Sequence, residues 1–130
     1  MTTVTSFDNV EDMFAHIDSQ REAADSRVEG WQEGLTYGDY FIRYEKSIGV
    51  MVYGFVETLE DDEDKELYAE PHMKHYRPTR CYSRMCPEGE YGDVHVSSVD
   101  MIVSKDTFEK ARQQNWPSDL TDVVGLVNFQ

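Results

Sequence analysis

Residues 37–58, YGDYFIRYEKSIGVMVYGFVET, decide the fold. Aromatic and β-branched residues fill Tyr37–Glu45 and Val50–Thr58, and only Lys46, Ser47, Ile48 and Gly49 separate the two runs, a length that joins strands as a hairpin. In the second run Val50, Val52 and Val56 alternate with Met51, Tyr53 and Phe55, so both faces are apolar. Such a strand belongs inside a sheet, one that a helix covers or that curls into a small barrel.

The covering helix lies upstream. From Asp8 to Glu29, Val10, Met13, Phe14 and Ile17 recur at helical spacing, and Ala24, Val28 and Trp31 continue the stripe. Asp8 or Asn9 serves as cap, Glu11 and Asp12 suit the positive end of a helix, and Gly30 and Gly34 stop it.

Downstream, Leu59–Glu70 carries Glu60, Asp61, Asp62, Glu63, Asp64, Glu66 and Glu70 against one Lys65, which reads as an exposed acidic loop over 59–70. Lys74, Arg77, Arg80 and Arg84 then supply an adjoining basic stretch that should attract it. Tyr76–Ser83 reads as a strand that Pro78 pushes to a sheet edge. Pro87–Gly92 reads as a turn by its proline and glycines. Val94 and Val96, then Val99, Met101 and Val103 in the opposite phase, imply one bent strand or two short ones. Ser104 caps a late helix with Phe108 and Ala111 inward that ends before Pro117, and Val123–Phe129 suits a last strand. With neither repeats nor linkers, residues 1–130 form a single α+β domain: an N-terminal helix on a mostly antiparallel sheet of about four to six strands, open or barrel-like, plus a short late helix. Met1–Phe7 should fray.

Twelve Lys and Arg against 26 Asp and Glu give a net charge of −14. That charge repels phosphate backbones and anionic lipid, and it favours a basic protein partner over direct nucleic-acid binding. Met1–Phe7 lacks a basic start and an apolar core, and no run approaches the ~20 apolar residues of a membrane span. A cytoplasmic location follows as an expectation, with Cys81 and Cys86 reduced.

Four constellations carry chemistry. His72, His75, Cys81 and Cys86, in the pattern H-x2-H-x5-C-x4-C, are ligand types zinc accepts, with His95 as substitute, although the spacing matches no common finger. Zinc is the only cofactor implied. Cys81 beside Arg80 and Arg84, with His95 and Asp93, has the residue types of a thiol nucleophile and its base, but nothing in the sequence brings them together. Tyr76, Arg77, Arg80, Tyr82 and Arg84 interleave rings and cations as nucleic-acid grooves do, against the overall charge. Asp18, Glu22, Asp25 and Glu29 recur at steps of four, three and four, a ladder about 5–6 Å apart that could stand in for a phosphate backbone. Glu60–Glu66 lacks the glycine and terminal glutamate of a calcium loop. Of Tyr37, Tyr40, Tyr68, Tyr91 and Trp116, all near turns, two at most should stay exposed for binding.

Val28 with Trp31-Gln32, Gly38-Asp39 with Phe41 and Arg43, Tyr53-Gly54, Tyr82-Ser83, Cys86-Pro87-Glu88-Gly89, Gly92-Asp93, His95-Val96, Phe108-Glu109 with Ala111, and Trp116-Pro117 form a set of local patterns. Together they resemble small proteins encoded by phages, prophages and other mobile elements. The resemblance implies an accessory role and attaches no activity. The leading expectation is therefore a non-enzymatic acidic module for a basic partner, using Asp18, Glu22, Asp25 and Glu29 together with Glu60, Asp61, Asp62, Glu63 and Asp64. A nucleic-acid mimic, a zinc-stabilised module and a cysteine or histidine enzyme are the alternatives.

Overall fold

The computed structural model describes residues 6–25 and 35–128. Asn9 Oδ1 accepts the Asp12 N–H at 2.9 Å, and helix α1 follows over Val10–Asp25. Met13 and Ile17, one turn apart, are fully buried, while Phe14 meets the Tyr44 ring edge-on at 5.7 Å. The expected extension to Glu29, the Gly30 and Gly34 stops, and Val28 and Trp31 lie outside the described residues.

The hairpin forms as β1 (Tyr40–Glu45) and β2 (Val50–Val56), registered from Tyr40↔Phe55 to Glu45↔Val50. Gly49 closes it at φ +65°, donating its N–H to Glu45 O at 2.8 Å. With β3 (Tyr76–Ser83), β4 (Cys86–His95) and β5 (Met101–Val103), the antiparallel sheet runs β4-β3-β2-β1-β5. Five strands fall within the expected number. The sheet stays open, with β4 and β5 as its edges, so the barrel option is not realised.

Both faces of β2 are covered. On one, Ile42, Met51 and Tyr53 pack with Met13 and Ile17 of α1, Phe108 and Ala111 of α3 (Lys105–Gln113), and Val123, Leu126 and Val127 of α4 (Leu120–Asn128). On the other, Phe41 and Val56 pack with Leu35, Val94, Val96 and Val99. This second core exists because the chain must travel from edge strand β4 to the opposite edge β5. It does so through a 3₁₀ turn, Val96–Ser98, that lays Val96 and Val99 across the sheet. Buried Asp100 ties down the end of the crossing, its N–H donating to Ile42 O at 3.1 Å and its Oδ2 accepting the Tyr44 N–H at 2.7 Å.

Ser104 caps α3 as expected, its Oγ accepting the Thr107 N–H at 3.1 Å. Other expectations need correction. Leu59–Glu70 is not a loop, because Asp62–Ala69 is a helix, α2. Val123–Phe129 is not a strand: the described part belongs to α4, where Val123, Leu126 and Val127 follow helical spacing onto one core. Pro87–Gly92 is not a turn but the body of β4. The turn lies at Arg84-Met85, where Ser83 Oγ accepts the Met85 and Cys86 N–H groups at 3.2 and 3.1 Å. The register jumps from Cys81↔Glu90 to Ser83↔Cys86, so Pro87, Glu88 and Gly89 bulge opposite Tyr82.

Pro78 does not sit on an edge strand either, since β3 lies between β2 and β4. Its carbonyl accepts the Glu57 N–H at 2.9 Å, one step past the last β2 pair, Val56↔Thr79. A strand residue points its N–H and C=O the same way, so the donor that proline lacks would have faced the end of β2. The phase change after Ser97-Ser98 separates two strands that are not neighbours in the sheet.

Candidate functional site

Helix α2 forms because Asp61 Oδ1 accepts the Glu63 N–H at 2.8 Å and because Asp62, Glu63 and Asp64 sit at the positive end of the helix dipole. The helix ends at Glu70, whose N–H returns to Leu67 O at 3.2 Å before Pro71. None of its residues is buried. Glu60, Asp61, Asp62, Glu63 and Asp64 are all exposed. Lys65 Nζ reaches Asp62 at 4.0 Å, and among the described residues no cation pairs with the other four.

Three of these carboxylates, Glu60, Asp61 and Asp64, line a cleft of about 540 Å³ together with Phe55, Glu57 and Tyr91. Tyr91 is 71% exposed. The Arg80 guanidinium stacks 4.1 Å from the centre of its ring and holds Glu57 Oε1 through Nε at 3.1 Å. Of the expected attraction between the acidic and basic stretches, the described residues show one contact, His72 with Glu70 at 3.2 Å; Arg80 pairs instead with Glu57, which precedes the acidic run. Tyr68 reaches Asp93 with its hydroxyl, fastening α2 to β4.

The two acidic sets do not meet. Asp18 pairs with Lys46 in the β1–β2 turn, and the length of β2, about 20 Å, separates that turn from the cleft. Glu22 and Asp25 continue along the α1 backbone, and Glu29 lies outside the described residues. Two of the five aromatics near turns are exposed, Tyr37 and Tyr91, whereas Trp116 is buried against Tyr82 and Phe108.

The metal-type residues are likewise apart. His72 and His75 precede β3, while Cys81 lies six residues beyond His75 along an extended strand, about 20 Å away, and Cys86 opens β4. Among the described residues no three His, Cys, Asp or Glu side chains converge as ligands. His95 packs on His75 at 5.9 Å and on Tyr76 at 5.0 Å, at the far end of β4 from Cys86. Burial pushes the Cys81 thiol pKa up, against the hydrogen bond to Thr79 Oγ1, and desolvation with Glu90 nearby does the same at Cys86. Neither thiol has a depressed pKa, and among the described residues neither has the adjacent base of a nucleophile. The basic and aromatic residues of β3 are engaged too: Arg77 donates to the carbonyls of Leu35, Lys74 and Tyr76, and Tyr82 stacks on Trp116.

Sequence reasoning missed Glu57 and the assembly of the cleft, because only strand pairing brings Tyr91 beside Arg80. The titration of two histidines, of which only His95 was singled out from the sequence and then for other reasons, bears on stability. Burial lowers the pKa of His16, against the raising effect of Asp100, and burial with His75 nearby lowers that of His95, whose Nδ1 accepts the Ser97 N–H at 3.1 Å. Both are therefore more readily protonated in the unfolded chain. Their contribution to stability is complete above the ordinary histidine pKa of about 6.5 and is lost as pH falls through the lower folded values. Urea unfolding at pH 7.5 and 5.0 should show a loss on acidification that the double variant His16→Gln/His95→Asn reduces. Equal losses in both proteins would remove the histidines from the explanation.

No described helix is long and apolar enough to cross a membrane. In comparisons with known proteins, no family model, curated protein or solved structure matches the chain.

Proposed function

We propose that this chain is a small acidic binding module, not itself an enzyme, that engages a basic protein partner through the Glu60–Asp64 end of the sheet. One observation carries the reading: α2 buries no residue, yet it is capped, fastened by Tyr68 to Asp93, and holds its carboxylates in water largely without cations. A helix that adds nothing to the core and concentrates one charge beside an exposed tyrosine is suited to steering and holding a cationic surface. The resemblance of its local patterns to small proteins of phages and mobile elements is the ground for proposing an accessory or inhibitor role in that setting.

The test compares the tagged protein with Asp61→Asn/Glu63→Gln/Asp64→Asn, in which asparagine preserves the helix cap. Both are used to capture proteins from nuclease-treated lysate of the native host across a salt series. The parent should retain a stoichiometric basic protein whose capture falls at least tenfold between about 50 and 300 mM salt, and the variant should lose it. Equal capture by the two proteins, or capture indifferent to salt, would overturn the reading. A retained partner that itself binds nucleic acid would favour mimicry.

A further inference from the structure

We propose that the partner's basic segment docks in extended form as a sixth strand on the free edge of β4. The proposal rests on the binding-module reading above and adds the mode of contact. Val96 N–H donates to His75 O at 2.8 Å, so the backbone groups of Val96, and at alternate positions those of Val94 and Gly92, point towards β3. Those of Tyr91, Asp93 and His95 point outward. Pro78 gives the same phase independently: it pairs with Asp93 and turns its carbonyl towards Glu57, just past the end of β2, so Asp93 turns its own groups away from β3.

Among the described residues no strand pairs with the N–H and C=O groups of Tyr91 and Asp93 or with the His95 N–H, because β4 is the last strand of the sheet; the His95 C=O opens the 3₁₀ turn Val96–Ser98. From Glu90 to His95 the edge is regular and long enough for a strand of about six residues. Before it, the bulge at Pro87–Gly89 sets where pairing would begin.

Charge selects the occupant. Glu88, Glu90 and Asp93 are exposed along this edge, so a second copy of β4 would set carboxylate against carboxylate, which destabilises a strand pair. A segment with Lys or Arg at alternate positions meets the opposite situation. Its cations on the helix-covered side reach Asp93, whose carboxylate already receives the Tyr68 hydroxyl, and the ring face of Tyr91 not covered by Arg80. Shifted by one residue, the same segment would instead turn its cations to the other side, towards Glu90. The backbone ladder supplies affinity and the carboxylates supply choice of partner, the division of labour usual in strand addition.

The probe is a capped octapeptide of alternating Lys and Val. Its control carries the same charges with backbone N-methyl groups on two adjacent central residues, which blocks both peptide edges. At low salt the first peptide should bind at least tenfold more tightly than the control. It should also slow amide hydrogen exchange at Tyr91, Asp93 and His95 at least tenfold. Equal affinity for the two peptides, or unchanged exchange at those amides, would overturn strand addition while leaving the acidic-module reading in place. Failure of both peptides to bind would overturn the two together.

Discussion

Phe108→Ala should lower the stability of this protein by about 3–5 kcal/mol, the cost of emptying a large aromatic site in a close-packed core. Phe108 is 1% exposed, and its ring lies 4.8 Å from Tyr40, 5.2 Å from Trp116 and 5.9 Å from both Phe55 and Tyr82. Those rings come from β1, the segment after α3, β2 and β3, so the lost side chain joins four parts of the fold. Trp116 cannot simply fall into the space. It sits at φ +57° after Asn115 at φ +60°, two left-handed residues that fix where the indole enters. Urea unfolding of the variant should be compared with that of Leu67→Ala, since Leu67 is 42% exposed on α2. The exposed site should cost well under 1 kcal/mol. Similar losses at the two sites would mean that the aromatic cluster is not the centre of the core, or that α2 is no mere charged appendage.

Gly54→Ala is the second large effect, and its sign is diagnostic. Alanine in a strand is ordinarily no worse than glycine, because glycine loses more conformational freedom on folding. At Gly54 an added Cβ would lie 2.6 Å from Phe41 Cζ and 3.0 Å from Cys81 Sγ. Phe41 and Cys81 are its cross-strand partners on either side, and Phe41 is fully buried in the second core. The ring can escape only by pushing into Val56 or the Val96–Val99 crossing, so overpacking should dominate and cost about 1–3 kcal/mol. Gly92→Ala in β4 is the control: nothing lies within 4 Å of its added Cβ, and its stability should stay level or rise slightly. A stable Gly54→Ala would show that the second core is loosely packed and that the crossing from β4 to β5 contributes little.

Features governed by neighbours in sequence were legible. Asn9 and Ser104 cap their helices, Met13 and Ile17 face inward at a four-residue step, and the two apolar faces of β2 placed it inside the sheet. Signals of equal local strength failed where a distant contact set the outcome. The segment Pro87–Gly92 became strand, with a bulge at Pro87–Gly89 where the ring of Tyr82 occupies the space a side chain at Gly89 would need, its Cε2 lying 2.5 Å from an added Cβ. The acidic run became helical because a cap and a favourable dipole, both readable in Asp61–Asp64, outweigh its like-charge repulsion.

The sequence by itself determined the α+β class, the β1–β2 hairpin, the starts of α1 and α3 and the strongly negative charge, because propensity, apolar period and ionisation are properties of short segments. Only the tertiary structure decided the rest. It placed β4 at an edge and Pro78 in an interior strand, made Val123–Val127 a helix, held Asp18 apart from Glu60–Asp64, and set Tyr91 and Arg80 beside Glu57. Each depends on which surfaces meet after the chain has crossed from one edge of the sheet to the other, and short apolar runs or isolated charges fit more than one such meeting until the whole core is packed.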